Sequence, residues 1–144
     1  MDRRGQASAE YLLLIVVILL VMGWLLVNVY QPSIGATMDV SIASDAKNAV
    51  TNIANAANLV YANGPGAKRT LSVYIPASGT FTSNNASKVI QFNSASIANS
   101  AHSVNASTSS NMTIENPNVT KGWYNNIVVE WKLNTNYISV TIDK

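Results

Sequence analysis

Seventeen consecutive residues, Tyr11–Val27, carry no charge and no strongly polar group. With Ala7 and Ala9 before them, and Val29 and Tyr30 after Asn28, the tract approaches the ~20 residues that cross a bilayer core. It is apolar on every face rather than striped, so a helix made from it needs lipid or other helices all round. A buried helix of a globular domain meets the same description, but one small domain offers little to cover it. Arg3 and Arg4 precede the tract, and the positive-inside rule then puts the N-terminus in the cytoplasm and the rest outside. A secretory signal peptide fits poorly. The run exceeds the apolar region of about 7–15 residues usual there, VNVYQPS offers no A-x-A-like junction, and Glu10 breaks the basic lead-in.

Composition argues against a typical cytosolic enzyme. Charged residues are 11% of the 144, against roughly 25% in an average soluble domain. Asn, Ser and Thr supply 44 residues, 18 of them Asn, so uncharged polar groups carry much of the solvation. The absence of cysteine excludes disulfides and thiolate metal sites. A net charge of +2 is too small to argue for nucleic acid.

The chain opens MDRRGQASAEYLLL. Gly5, Gln6, Ser8, Glu10 and Tyr11 stand at fixed offsets between a short basic leader and the apolar run. This segment resembles the class III signal peptide of archaeal type IV pilins, in which a leader ending in Gly is followed by Q-x-S-x-E-Y. The match covers about the first 30 residues. The resemblance implies a leader, 1–5, cut between Gly5 and Gln6 by a prepilin peptidase, with the apolar helix kept in the mature chain. It also implies that the mature helices leave the membrane and bundle as the core of a homo-oligomeric filament. A pilus assembly ATPase and a membrane platform protein would drive that step, and Gln6, Ser8, Glu10 and Tyr11 would serve assembly.

Glu10 has a physical part of its own. An ionised carboxylate at the edge of an apolar tract is costly unless paired or neutralised. In a cleaved chain it becomes the fifth residue, and a neighbouring subunit's α-amino group is a natural partner. The rival reading leaves Glu10 among lipid headgroups, favouring the helix N-terminal dipole. Cyclisation of Gln6 would remove the amino charge and with it the ion pair.

The hydrophobic helix is expected over 6–32, with an amphipathic continuation over 33–63. Pro32 and Gly35 suggest a kink or short break. Beyond them Met38, Ile42, Ala46, Ala49/Val50, Ile53, Ala57 and Val60 form a stripe of helical period, with Asp39, Ser41, Asp45, Lys47, Asn48, Asn52 and Asn55 opposite. Asn63-Gly64-Pro65-Gly66 ends it. Helical from Gln6 to Ala62, the element would run roughly 85 Å at about 1.5 Å per residue.

From Arg69 the period becomes two. Leu71, Val73 and Ile75 read as one strand, and Ile90 and Phe92 begin another. Ile127, Val129, Trp131 and Leu133, a turn at Asn134-Thr135-Asn136, then Ile138, Val140 and Ile142 read as a hairpin with one buried face. Ala77–Asn85 and Ser94–Ser110 read as loops or weak edge strands. The fold expected is therefore α+β: a long N-terminal hydrophobic helix, pilin-like, followed by a small antiparallel β-sheet or sandwich domain over 64–144.

Four Asn-x-Ser/Thr sequons stand at Asn85, Asn105, Asn111 and Asn118. With this composition roughly three arise by chance, so the motif matters chiefly because all four fall in the exported part. Catalytic signals are missing. His102 is the single histidine, near Ser100 and Ser103, and Asp39, Asp45, Glu115, Glu130 and Asp143 show no paired, HExxH or calcium-loop spacing. Gly64-Pro65-Gly66-Ala67-Lys68 lacks the phosphate-loop motif. No enzyme activity, metal or cofactor is expected. Trp123, Tyr124 and Trp131 are candidates for a carbohydrate-binding surface, with Trp131 better suited to the core. The resemblance points to a pilus-like surface filament used for adhesion, first held in the plasma membrane. An archaellin-type motility filament subunit and a single-pass anchored extracellular binding module remain alternatives.

Overall fold

A computed structural model describes residues 3–97 and 102–144, with the backbone alone for 3–8 and 31–37. Its elements run α1 (Arg3–Leu25), a π-helical turn (Leu26–Tyr30), α2 (Gln31–Asn63), then β1 (Lys68–Ile75), β2 (Gly79–Asn84), β3 (Val89–Asn93), β4 (Ser103–Ser107), β5 (Met112–Glu115), β6 (Asn118–Val119), β7 (Gly122–Glu130) and β8 (Ile138–Asp143). Two units result, Met1–Met38 and Asp39–Lys144. The α+β class expected from the sequence is what the structure shows.

The first unit is the apolar helix. Ile15, Val16, Val17, Ile18 and Val21 are β-branched and only moderate helix formers in water. In apolar surroundings an unpaired peptide group is so costly that the helix, which closes every internal bond, is favoured regardless. The interruption differs from the expected one: α-type bonding is broken at Leu26–Tyr30, while Gln31–Gly35 is assigned as helix. A proline offers no N–H to the carbonyl four residues earlier, here Asn28. The widened turn spans that residue, so the local disturbance falls before Pro32 rather than on it. Within it the Asn28 amide donates to the Trp24 carbonyl at 2.9 Å.

In the second unit, the Asp39–Asn63 part of α2 carries the amphipathic stripe. Ala46, Ala49, Val50, Ile53, Ala54, Ala56, Ala57 and Val60 are all buried, whereas Ser41, Asp45, Lys47, Asn48, Asn52 and Asn55 are exposed. The many alanines let the backbone approach closely, and each fully buried Ile or Val contributes about 1.5–3 kcal/mol. Met38, first in the expected stripe, is 64% exposed. The helix stops where a residue of positive φ is needed: Gly64, at +88°, donates its N–H to the Val60 and Tyr61 carbonyls. Gly66 and Ala67 then tie back to Trp131 through backbone bonds of 2.7 and 2.9 Å.

Two four-stranded sheets supply the rest of the core, ordered β1-β7-β8-β5 and β4-β3-β2-β6. All pairings are antiparallel except β5 with β8. The chain passes between sheets at Asn116-Pro117, where Asn116 takes a φ of +56° and the Pro117 carbonyl accepts the Phe81 N–H. The hairpin read from the C-terminal alternation is present as β7 and β8, with Ile127, Val129, Ile138, Val140 and Ile142 buried. Its boundary is corrected, because β7 ends at Glu130 and Leu133 is 69% exposed. Tyr124 and Ile127 are both buried although three apart, which a regular strand forbids. A bulge resolves this: Asn125 and Asn126 together oppose Ser72, and Ser72 Oγ donates to Asn125 Oδ1 at 2.7 Å.

The segment Ala77–Asn85 is more ordered than loops or edges. β2 lies inside its sheet between β3 and β6, whereas β4 is an edge strand as expected. Phe81 is the one large apolar side chain of β2, and its ring meets that of Phe92 at 4.9 Å. Gly79 opens β2 because a Cβ there would overlap the Asn93 carbonyl and stand 2.6–2.7 Å from Phe92 ring carbons.

Candidate functional site

Two surfaces depart from what a solvated domain presents. The first is the apolar helix. From Tyr11 to Tyr30 its large apolar side chains are 46–71% exposed on every side, apart from a half-buried Leu25. Monomeric soluble proteins rarely show contiguous apolar patches beyond a few hundred Å², so this surface needs a cover. Ala9–Tyr30 is the one stretch among the described residues long and apolar enough to cross a membrane.

The residues expected to serve processing and assembly lie at the start of this helix. The backbone of Gly5, Gln6 and Ser8 belongs to α1, while their side chains lie outside the described residues. Glu10 and Tyr11 are exposed at adjacent positions just before the leucine run, Tyr11 at 71%. A carboxylate there is open to a partner on another molecule.

The second surface is a groove of about 240 Å³ on the Asp39–Lys144 unit, lined by Tyr61, Lys88, Asn111, Trp131, Asn136 and Tyr137 together with Ser109, Ser110 and Ile138. The end of α2 positions Tyr61, which stacks on Trp131 at 5.4 Å and 13°. Trp131 is further held by its indole N–H, which donates to the Thr135 carbonyl at 3.0 Å. Thr135 Oγ1 caps the turn by donating to the Lys132 carbonyl at 2.8 Å, so the turn that presents Asn136 and Tyr137 is internally braced. Sequence reasoning missed this groove. The aromatics flanking Asn134-Thr135-Asn136 were a visible signal, but nothing in the local pattern joins them to Tyr61 some 70 positions away.

The candidate saccharide-contacting aromatics separate. Trp123 is 61% exposed and leans on Tyr74, whereas Tyr124 is buried with its hydroxyl accepting the Thr120 N–H at 2.8 Å. Tyr124 is thus a core residue.

The four sequons lie on the surface in different settings. Asn85 is exposed in the β2–β3 turn, where the preceding Asn84 side chain accepts N–H groups from Ala86 and Ser87. Asn85 Oδ1 accepts the Met112 N–H at 2.9 Å. Asn105 is exposed on edge strand β4, and its carbonyl accepts from Lys47 Nζ. Asn118 is exposed and accepts from Thr80 Oγ1, while Asn111 is half-buried at the groove.

The titratable residues singled out from the sequence stand apart from one another among the described residues. His102 is exposed, with Nδ1 2.9 Å from the Ile97 carbonyl, and Ser100 lies outside the described residues. No group of three His, Cys, Asp or Glu among the described residues is placed to hold a metal. Glu115 accepts hydrogen bonds of 3.0 Å from Ser139 and Thr141 and lies 3.9 Å from Lys132. The Ser139 hydroxyl first, then Thr141 and the Lys132 charge, hold its carboxyl below the usual value. This is a brace between β5 and β8. Comparison with protein-family models, curated proteins and solved structures returns no match.

Proposed function

We propose that the chain is the structural subunit of a type IV pilus-like surface filament that polymerises through its N-terminal helix. The observation that carries this reading is the uncovered apolar helix, entered directly from Gly5-Gln6-Ala7-Ser8-Ala9-Glu10-Tyr11. Such a helix is stable in lipid and equally in a bundle of its own copies. Exchanging one for the other keeps the tract from water throughout, so one segment serves as membrane anchor and then as polymer core. In this reading a prepilin peptidase cuts after Gly5, Glu10 sets register by pairing with a neighbour's N-terminus, and an ATPase with a membrane platform protein drives extrusion. The Asp39–Lys144 units face outward, solvated by their amides and hydroxyls and by glycans on exposed sequons, and serve adhesion.

The test is the N-terminus and intact mass of protein sheared from the native cell surface. A chain beginning at Gln6, or at its cyclised form, with glycan mass in excess, is the expected result. A chain that begins at Met1 and stays in the membrane fraction would replace the filament by a permanently anchored module.

A further inference from the structure

We infer that the groove between Tyr61, Trp131 and Tyr137 is a binding site for one pyranose ring of an external saccharide. The inference does not require polymerisation. A pyranose has one face of C–H groups and a rim of hydroxyls, and this groove offers the complement of both. Tyr61 and Tyr137 are 44% and 41% exposed, and Tyr61 is kept in place by its stacking on the half-buried Trp131. An aromatic ring held this way presents a rigid apolar plate at small entropic cost.

The rim is polar without being acidic. Asn111 and Asn136 line the groove beside Ser109 and Ser110, and Lys88 is the one charged residue among the lining groups. Small-molecule pockets are usually lined mainly by apolar side chains and measure about 300–1,000 Å³. This groove is smaller and its single aliphatic lining residue, Ile138, is buried, so it suits a small polyhydroxylated ring rather than an apolar ligand.

The lone cation Lys88 makes the site tolerant of a carboxylated sugar as well as neutral ones.

The experiment uses the full chain, made in a host that adds no N-glycan and held in a detergent without a sugar headgroup. Methyl glucoside, methyl galactoside, N-acetylglucosamine and glucuronic acid are titrated in turn. The chain has three tryptophans, so the indole N–H resonances of Trp24, Trp123 and Trp131 report separately on helix, distal surface and groove. At least one sugar should bind saturably and shift the Trp131 resonance alone. Tyr137→Ala and Asn136→Ala should weaken that binding by about tenfold or more at an unchanged unfolding midpoint, and Trp123→Ala should leave it as it was. No saturable binding by any of the four, or binding indifferent to Tyr137→Ala, overturns the inference. So does a glycan found on Asn111 in the native protein, because the groove would then hold the chain's own sugar.

Discussion

Ile15 and Ile53 are the same side chain in two opposite circumstances. Ile15 is 47% exposed in the Met1–Met38 unit, while Ile53 is wholly buried in the Asp39–Lys144 unit. The second unit closes on itself: a helix stripe and two sheets remove their apolar groups from water within one chain. The first has no such closure, and its apolar surface is left for something outside the chain. One region buries its own apolar groups and the other leaves them exposed, and the molecule's use is to be sought where the folding problem is left unsolved.

Paired substitutions sharpen that contrast. Ile53→Ala should lower the unfolding free energy of the Asp39–Lys144 unit by about 2–5 kcal/mol, because it leaves a cavity among fully buried neighbours. Ile15→Ala should leave that unfolding transition unchanged, as read by denaturant titration in detergent. Equal losses from both would erase the distinction.

The glycines give a smaller contrast of opposite sign. Gly79→Ala forces a methyl group into the Asn93 carbonyl and the Phe92 ring and should cost about 1–3 kcal/mol. At Gly23 an added Cβ meets nothing within 4 Å, so Gly23→Ala should be neutral or favour the helix by about 0.5–1 kcal/mol. Thermal unfolding followed by the near-ultraviolet signal distinguishes the two.

The smallest effect concerns pH. The Glu115 carboxyl is held below its ordinary value, so its contribution is complete above that value, 4.5, and disappears as pH falls through the lowered folded-state value. The carboxylate is exposed, and its effect is correspondingly modest. Glu115→Gln should lower the melting temperature slightly at pH 7 and progressively less below pH 4.5, where wild type and variant should converge. A gap that persists in strong acid would show that the brace depends on shape rather than charge.

What the sequence made legible followed from period. The seventeen-residue run, the three-four stripe ending at Gly64 and the β7–β8 alternation each repeat often enough to identify an element. Illegible features were those decided by distant partners. β2 reads as a polar loop because Phe81 alone anchors it, through Phe92 eleven residues on. The parallel pairing of β5 with β8 leaves no local trace, and Leu133 continues an alternation that its strand does not. The leader motif was legible as a resemblance, and Glu10 as a charge in an expensive place. The saccharide groove was not, because Tyr61 belongs to a helix whose pattern speaks only of its buried face.

The central claim is that copies of this helix cover one another. The chain has no cysteine, so single cysteines introduced around the helix at Leu13, Leu14, Ile15 and Val16, about 100° apart, are the only thiols present. Oxidation of sheared surface material should then give disulfide-linked dimers from several of these positions, spread around the helix circumference. Thiols that stay monomeric at all four positions, in protein that remains with the membrane, would mean that lipid is the helix's permanent cover and would contradict the account.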